Sequence, residues 1–360
     1  QPDPGALQRS EFRHALVQDA VTGTLTGPRR KALHRAAFDA LARHFADQLA
    51  EQAAVLAHHA YDGEAWRQAA GFALRAMARA IACSAYRDAL RLFTKGLDAS
   101  RRIDDTPGRL ASELSLRMKV LGAQLPLGQT DDIVTNLERA EAITQELGDA
   151  RRQAGVLLQL AVVLWISGSY RHGLEVASRA ADTAATAGSP SVRMAAMQAR
   201  LLLHHALGLY DQVVFIARQI EREFGNDQGM RQIMPGWAVV ANVNLRTFLA
   251  DVLWRMGRID DAQAACDEAY RELASQDHAF SRVLVDFVQA EVWRVQDRHA
   301  DALSLLRSTL TSCQANDLTS MLPPVLAILA GCMADCGQAA EAVSLVGEAI
   351  EGKLPHTGGR

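Results

Sequence analysis

The sequence predicts an all-α solenoid in which antiparallel helix pairs recur about every 40 residues. Three observations predict this fold: a turn residue recurs at nearly constant spacing, small residues stand at fixed distances from it, and no alternating strand pattern occurs. Four of the six gaps between these turn residues are 40 residues long. We call the turn residues the anchors; they are Ser84, Gly128, Gly168, Gly208, Gly257, Asp297 and Gly337.

The stretch 161–180 shows what each repeat contains. Gly168 permits the left-handed backbone conformation that ends a helix. Tyr170 follows two residues later, and Gly173 and Ala180 follow at five and twelve residues, where small side chains let helix backbones approach. A second turn signal stands twenty residues after four anchors, at Gly148, Gly188, Asp277 and Asp317. Each repeat is therefore predicted to be a helix, a tight turn, a second helix and a loop.

Before the repeats, the spacing of apolar residues predicts helices over residues 29–49, 53–60 and 64–82. The chain is accordingly predicted to have three parts. These are an N-terminal segment of linker or capping helices (1–68), an array of about seven helix pairs (69–352) and a disordered tail (353–360).

Composition argues against nucleic acid and membranes as binding partners. A net charge of −3 provides no basic surface for nucleic acid or an acidic membrane. The longest apolar run, 154–166, is too short to span a bilayer. The five cysteines lack CxxC spacing and are typical of free thiols in a reducing compartment. We therefore expect a cytoplasmic protein that binds neither nucleic acid nor a membrane.

At the anchors and the positions spaced from them, residues 70–350 resemble the tetratricopeptide (TPR) family. The resemblance implies a right-handed superhelix whose first helices line the concave face. The period of about 40 residues is longer than the roughly 34 of the standard repeat, which implies longer helices or loops.

The front of the chain shows a second resemblance. The segments FRHALVQDA (12–20) and RRKALH (29–34) resemble large bacterial regulators, as do SAYRDA (84–89) and QELGD (145–149). In these regulators an ATPase module of AAA or STAND type, often preceded by a class III adenylate or guanylate cyclase domain, is followed by TPR-like repeats. The resemblance implies that this chain, which begins with Gln1, is the C-terminal sensor or scaffold of such a protein. It also implies that His14 lies near the nucleotide-bearing module and senses its state.

No sequence motif indicates a catalytic, cofactor or metal site. The P-loop, HExxH, GxSxG and GxGxxG patterns are all missing, so we expect no catalytic residue, no cofactor and no metal. The pairs His58–His59 and His204–His205 are interpreted as packing residues, because adjacent side chains on a helix point about 100° apart and cannot share one ion. Cys332 and Cys336 are interpreted in the same way.

One charged surface is the predicted binding groove. In the repeats anchored at Gly257 and Asp297, polar side chains and a tryptophan occupy first-helix positions expected to face the groove. Tryptophan and arginine dominate binding hot spots, which favours a groove for a peptide. The alternative is a solvated helix face with internal salt bridges. The predicted groove residues are Asn244, Thr247, Asp251, Trp254, Arg255, Glu291 and Arg294.

The gap of 49 residues between Gly208 and Gly257 marks an insertion within residues 225–237. Its apolar members Ile233, Met234 and Trp237 are predicted to form a binding loop at the lip of the groove. The alternative is an ordinary loop whose tryptophan begins the next helix.

The leading hypothesis is a non-catalytic interaction scaffold, the regulatory region of a larger cyclase- or ATPase-type regulator. Its partner would be another protein, a peptide or the protein's own N-terminal domains, and a second copy of the chain is a further candidate. The alternatives are a small-molecule sensor with its ligand near Trp165 and Leu202, a stand-alone adaptor, a purely homo-oligomeric module and, ranked last, an enzyme.

Overall fold

The computed structural model describes residues 24–225, 239–274 and 278–350, and within these ranges it contains sixteen α-helices and two short 3-10 helices. The chain divides into two compact units, residues 1–148 and 149–360. In each unit every helix packs against the helix that follows it. The predicted all-α architecture of helix pairs is therefore confirmed.

Unit 1 contains six helices and the 3-10 helix Ala46–Gln48, which follows the first of them. Here α3 also packs against α5, so the first helices of successive pairs touch directly. The helices are α1 (Gly27–His44), α2 (Ala53–Asp62), α3 (Trp66–Ala82), α4 (Tyr86–Arg101), α5 (Thr106–Gln124) and α6 (Thr130–Glu146).

Unit 2 contains ten helices and the 3-10 helix Thr319–Met321. Its first helices, α7, α9, α11, α13 and α15, form a continuous layer in which each packs on the next first helix. The helices are α7 (Ala150–Ile166), α8 (Tyr170–Thr186), α9 (Pro190–Ala206), α10 (Tyr210–Phe224), α11 (Ala241–Arg255), α12 (Ile259–Leu273), α13 (Ala279–Val295), α14 (His299–Ala315), α15 (Leu322–Asp335) and α16 (Ala339–Ile350).

All seven anchors end a first helix in the left-handed conformation, with φ between 57° at Ser84 and 79° at Gly337. The turn at Gly168 shows how. Its amide donates to the carbonyl of Trp165 (3.2 Å), and the amide of Ser169 donates to the carbonyl of Leu164 (2.9 Å). This pair of bonds is the Schellman motif, which satisfies carbonyls that a helix end leaves unpaired.

The positions counted from the anchors also have the expected structural roles. The residue two after each anchor is the first residue of the second helix, and the residue five after each anchor is buried. Gly173 shows why this fifth residue is small, since a methyl group there would lie 2.8 Å from Cδ2 of Leu203 and 3.3 Å from Cβ of Leu164. The helices α7, α8 and α9 meet at this glycine.

Two of the differences between predicted and observed helix boundaries have a clear cause in the backbone. The helix predicted over 29–49 ends at His44, because Phe45 leaves the helical conformation (φ −103°) and a 3-10 turn follows. The helix predicted from residue 64 begins at Trp66, because Glu64 itself is left-handed (φ 53°) and ends α2.

Several predictions fall outside the described residues. They are the segment 12–20 with His14, the turn residue Asp277, most of the insertion 225–237 and the tail 353–360. The proposed boundary between residues 68 and 69 stays a prediction.

The anchors give a direct test of the turn geometry. Gly168→Ala should destabilise unit 2 by about 1–2 kcal/mol, because a non-glycine residue is strained at φ 78° although the site has room for a methyl group. The matched control is Gly155→Ala in the middle of α7, where a methyl group also meets nothing within 4 Å. That change should stabilise by about 0.5–1 kcal/mol through helix propensity. Urea unfolding followed by circular dichroism measures the change in unfolding free energy for each variant. Equal changes for the two variants would contradict the assignment of the turn.

Candidate functional site

Two groups of polar side chains lie on the layer of first helices in unit 2. One joins α9 to α11 and the other joins α13 to α15, so together they extend over four successive helix pairs. We call the two groups together the polar ladder. It consists of His205, Asp251, Trp254, Arg255, Glu291, Arg294 and Asp335.

Asp251 is the centre of the first group. Its side chain accepts three hydrogen bonds, from Nε2 of His205 (2.5 Å), Nε of Arg255 (3.0 Å) and Nε1 of Trp254 (3.0 Å). The residue is 5% exposed, whereas the rings of His205 and Trp254 and the guanidinium of Arg255 are partly exposed. The carboxylate therefore lies beneath its donors and fixes the orientation of three side chains that face outward.

The charge of Asp251 is stabilised by these donors. Burial by itself raises the pKa of the carboxyl group, but hydrogen bonds from His205 and Arg255 and the charge of Arg255 lower it further than burial raises it. The net effect is a pKa below the ordinary value for aspartate, so Asp251 is ionised at neutral pH. The buried charge and its donors thus stabilise one another.

In this group Arg255 is exposed and Trp254 is partly exposed. The guanidinium carbon of Arg255 lies 4.5 Å from the centroid of the Trp254 ring, within the range of a cation–π interaction. Because Asp251 holds both side chains, the stacked pair is ordered before any partner binds. An aromatic face beside a guanidinium suits apolar side chains, carbonyl groups and carboxylates of a peptide.

The second half of the ladder is centred on Arg294. Its guanidinium donates to Glu291 (3.0 Å) on its own helix α13 and to Asp335 (2.8 Å) on the neighbouring first helix α15. It crosses between the helices above Gly331, where a methyl group would lie 3.3 Å from the guanidinium. The glycine explains how a long side chain reaches the next repeat without displacing the helix.

The remaining predicted groove residues are buried. Asn244 is 3% exposed and donates from Nδ2 to Oε1 of Gln198 (3.0 Å) on α9. Thr247 is equally buried and donates to the backbone carbonyl of Val243 (2.7 Å). Asn244 thus joins α11 to α9, whereas Thr247 bonds within its own helix, and both are too buried to contact a partner directly.

The structure brings together five of the seven predicted groove residues and adds two that the sequence argument missed. His205 occupies the position three before the anchor Gly208, which corresponds to Trp254 and Arg294 in later repeats. Asp335 stands two before Gly337, at the position of Arg255. Comparing all repeats at these two positions could have found both. The predicted lip residues Ile233, Met234 and Trp237 lie outside the described residues.

Three other residues that the sequence singled out, His204, Leu202 and Cys332, are buried. His204 is buried in α9, its Nδ1 lies 2.7 Å from the carbonyl of Arg200, and burial lowers its pKa. The packing interpretation of this residue is confirmed. Leu202, named for the small-molecule alternative, is 1% exposed and belongs to the core, while Trp165 is partly exposed. Cys332 is buried, and burial raises the pKa of its thiol to about 11.

The described helices also bear on membrane insertion. Across residues 24–225, 239–274 and 278–350, none has both the length and the apolar content that a bilayer crossing requires.

Comparison with solved structures places the chain among helical-repeat proteins. It is similar to aspartyl phosphate phosphatase F from Bacillus subtilis, with a TM-score of 0.64 and 11% identity over 89% of this chain and 76% of that one. It is also similar to a signal transduction ATPase with numerous domains (STAND) from Pyrococcus horikoshii that carries a tetratricopeptide repeat sensor. That match has a TM-score of 0.59 and 13% identity over 75% of this chain and 42% of that one.

A third similar structure is the Rap conjugation gene regulator of the plasmid pLS20 in complex with the Phr* peptide. Its TM-score is 0.53 with 12% identity, over 82% of this chain and 75% of that one. No family model matches the sequence, and no curated protein matches it either. At these identities the likeness concerns the fold alone, and that fold is a TPR-like helical repeat.

The role of Asp251 can be tested through stability. Asp251→Ala should destabilise unit 2 by about 3 kcal/mol, because it leaves the donors on His205, Trp254 and Arg255 without their buried acceptor. Asp261→Ala is the matched control, since Asp261 is exposed and pairs only locally with Arg258; it should change stability by less than about 0.5 kcal/mol.

The same pair of proteins tests the pKa of Asp251. A pKa lowered by folding adds stability above the pKa of the unfolded state, and that stability is lost as the pH falls through the folded value. The difference in unfolding free energy between the original protein and Asp251→Ala should be constant from about pH 5 to 8 and narrow below about pH 4. A difference that grows on acidification would contradict the assignment.

Proposed function

We propose that this chain is a regulatory binding scaffold that holds a peptide or protein segment against the polar ladder of unit 2. The observation that carries the proposal is the Trp254–Arg255 pair, partly exposed and fixed from below by the buried Asp251. Side chains ordered before binding lose little entropy when a partner arrives, so such a pair is well suited to be a hot spot.

The extent of the ladder fits an extended partner better than a compact one. The exposed members lie at equivalent positions of successive first helices, so they repeat along the layer as residues repeat along a peptide. Hydrogen bonds between helices, from His205 to Asp251 and from Arg294 to Asp335, keep neighbouring pairs in register. A peptide-bound Rap regulator has a similar fold, which supports this mode of binding.

We further propose that the scaffold belongs to a larger signal-transduction regulator of the cyclase or ATPase type and reports binding to it. The resemblance of residues 12–20 and 29–34 to such regulators supports this proposal, as does the likeness of the fold to a STAND ATPase with a repeat sensor. A repeat array in which each pair contacts mainly its neighbours can couple closure on a ligand to an attached module.

The binding site is tested with peptides selected from a random displayed library against the complete chain. Trp254→Ala should weaken the selected peptides about tenfold or more, because it removes the aromatic half of the stacked pair. The matched control is Phe215→Ala, which removes an exposed aromatic ring from the second helix α10. Calorimetric titration measures the affinity of each variant for the selected peptides. Unchanged affinity of Trp254→Ala, with circular dichroism showing a folded protein, would overturn the assignment of the site.

The proposal of a larger regulator is tested separately by immunoblot of the source organism with antibody raised against this chain. A native product far heavier than the 39.1 kDa of this chain is expected. A product of about that mass would overturn the regulator proposal and leave a stand-alone adaptor, without affecting the peptide site.

A further inference from the structure

Three histidines meet at the start of unit 1, far along the chain from the polar ladder. His34 comes from α1, and His58 and His59 are neighbours on α2. Each contributes a ring nitrogen, and the three nitrogens lie within 4.8 Å of one another. The expectation that adjacent histidines diverge too far to share an ion is not met here, because the ring centroids of His58 and His59 lie only 5.1 Å apart. Packing of α1 against α2 adds the ring of His34 to this pair.

The separation of the rings suits a metal ion. Nδ1 of His34 lies 3.0 Å from Nδ1 of His59. Tetrahedral zinc with bonds of about 2.0–2.1 Å to histidine nitrogen separates two such ligands by roughly 3.3 Å. The observed distance is therefore close to one edge of a coordination tetrahedron. The ring of His58 lies 5.1 Å and 5.4 Å, centroid to centroid, from the rings of His59 and His34. Its side chain would have to rotate toward the other two to complete a three-nitrogen face.

A carboxylate lies where an outer-shell group is needed. Oδ2 of Asp62 is 3.3 Å from Nδ1 of His58 and 3.9 Å from Nε2 of His34. Metal-binding histidines commonly donate their second ring N–H to such a carboxylate, which fixes the tautomer and the orientation of the ring. Asp62 lies nearer to Nδ1 of His58, which leaves Nε2 of His58 for an ion. It lies on the Nε2 side of His34 at a longer distance, which leaves Nδ1 of His34.

The contact between His34 and His59 bears on the lone pair that a metal ion requires. Two Nδ1 atoms 3.0 Å apart can share only one proton between them, so at least one presents a lone pair. A neutral imidazole is the form that binds a metal.

We propose that His34, His58 and His59 bind one divalent transition-metal ion of the zinc class. Imidazole nitrogen is a good ligand for zinc, and three protein ligands leave a fourth position for water or another donor. The ion would join α1 to α2. This junction needs support, since Phe38 is the only buried side chain of α1. Metal binding would thus hold α1 in place, and α1 contains the segment 29–34 that resembles the regulators.

The test uses the complete chain without a polyhistidine tag, titrated with Zn²⁺ by calorimetry and with Co²⁺ by visible absorption. One Zn²⁺ per chain and the intense d–d bands of tetrahedral Co²⁺ are expected. His34→Gln should weaken Zn²⁺ binding by about tenfold or more, because it removes the only ligand from α1. The matched control is His172→Gln, which removes an exposed histidine from α8 in unit 2 and should leave binding unchanged.

A second measurement on the unaltered protein covers the case in which His34→Gln does not fold. The chain has eleven histidines, whose ring signals can be followed by NMR. The signals of His34, His58 and His59 should shift when one equivalent of Zn²⁺ is added. Equal Zn²⁺ binding by the two variants, shifts spread over other histidines, or no stoichiometric binding would each overturn the proposal.

Discussion

The left-handed residue that ends each first helix is the constraint on which this fold depends. A helix pair can repeat along a chain only if the backbone reverses at the same point each time, and a single residue with positive φ achieves this in seven repeats. Schellman hydrogen bonds then satisfy the carbonyls at the helix end. Because the turn fixes where the second helix begins, it also fixes which residues meet five positions later, and these must be small or buried.

The polar ladder depends on this geometry because its members come from different repeats. Positions six, three and two before the anchors recur on every first helix. His205, three before its anchor, contacts Asp251, six before the next, and Arg294, three before its anchor, contacts Asp335, two before the next. The groups that donate to each buried carboxylate then decide in which direction its pKa shifts. Asp251 accepts from Arg255 and His205, and its pKa is lowered. Asp286, buried among the neutral hydroxyl groups of Tyr270 and Thr309, has its pKa raised by burial.

The sequence was sufficient to predict the repeat because each anchor is a local signal. The residue with positive φ is glycine in five repeats and serine or aspartate in the other two. The fixed period identifies the serine and the aspartate as turn residues. The break at Phe45 was not predicted, since neither glycine nor proline marks it.

The site was harder to predict because its contacts join distant positions. His205 and Asp251 are 46 residues apart, and Arg294 and Asp335 are 41 apart, so neither pair appears within one repeat. The acidic groups of the charged face form internal salt bridges, as the alternative interpretation expected. The peptide groove stays a prediction, for which the partly exposed tryptophan and guanidinium groups are the candidates. The histidine cluster shows the same limit, because His34 and His59 meet only through the packing of α1 on α2.

The most direct test of the proposed function follows the indole N–H of Trp254 by NMR while a selected peptide is added to the complete chain. The chain has five tryptophans, and the Trp254 signal is identified by its loss in Trp254→Phe. Because this N–H donates to Asp251 beneath the proposed binding surface, its signal should shift more than that of Trp66 in unit 1. A peptide that binds and leaves the Trp254 signal unmoved would contradict the central claim.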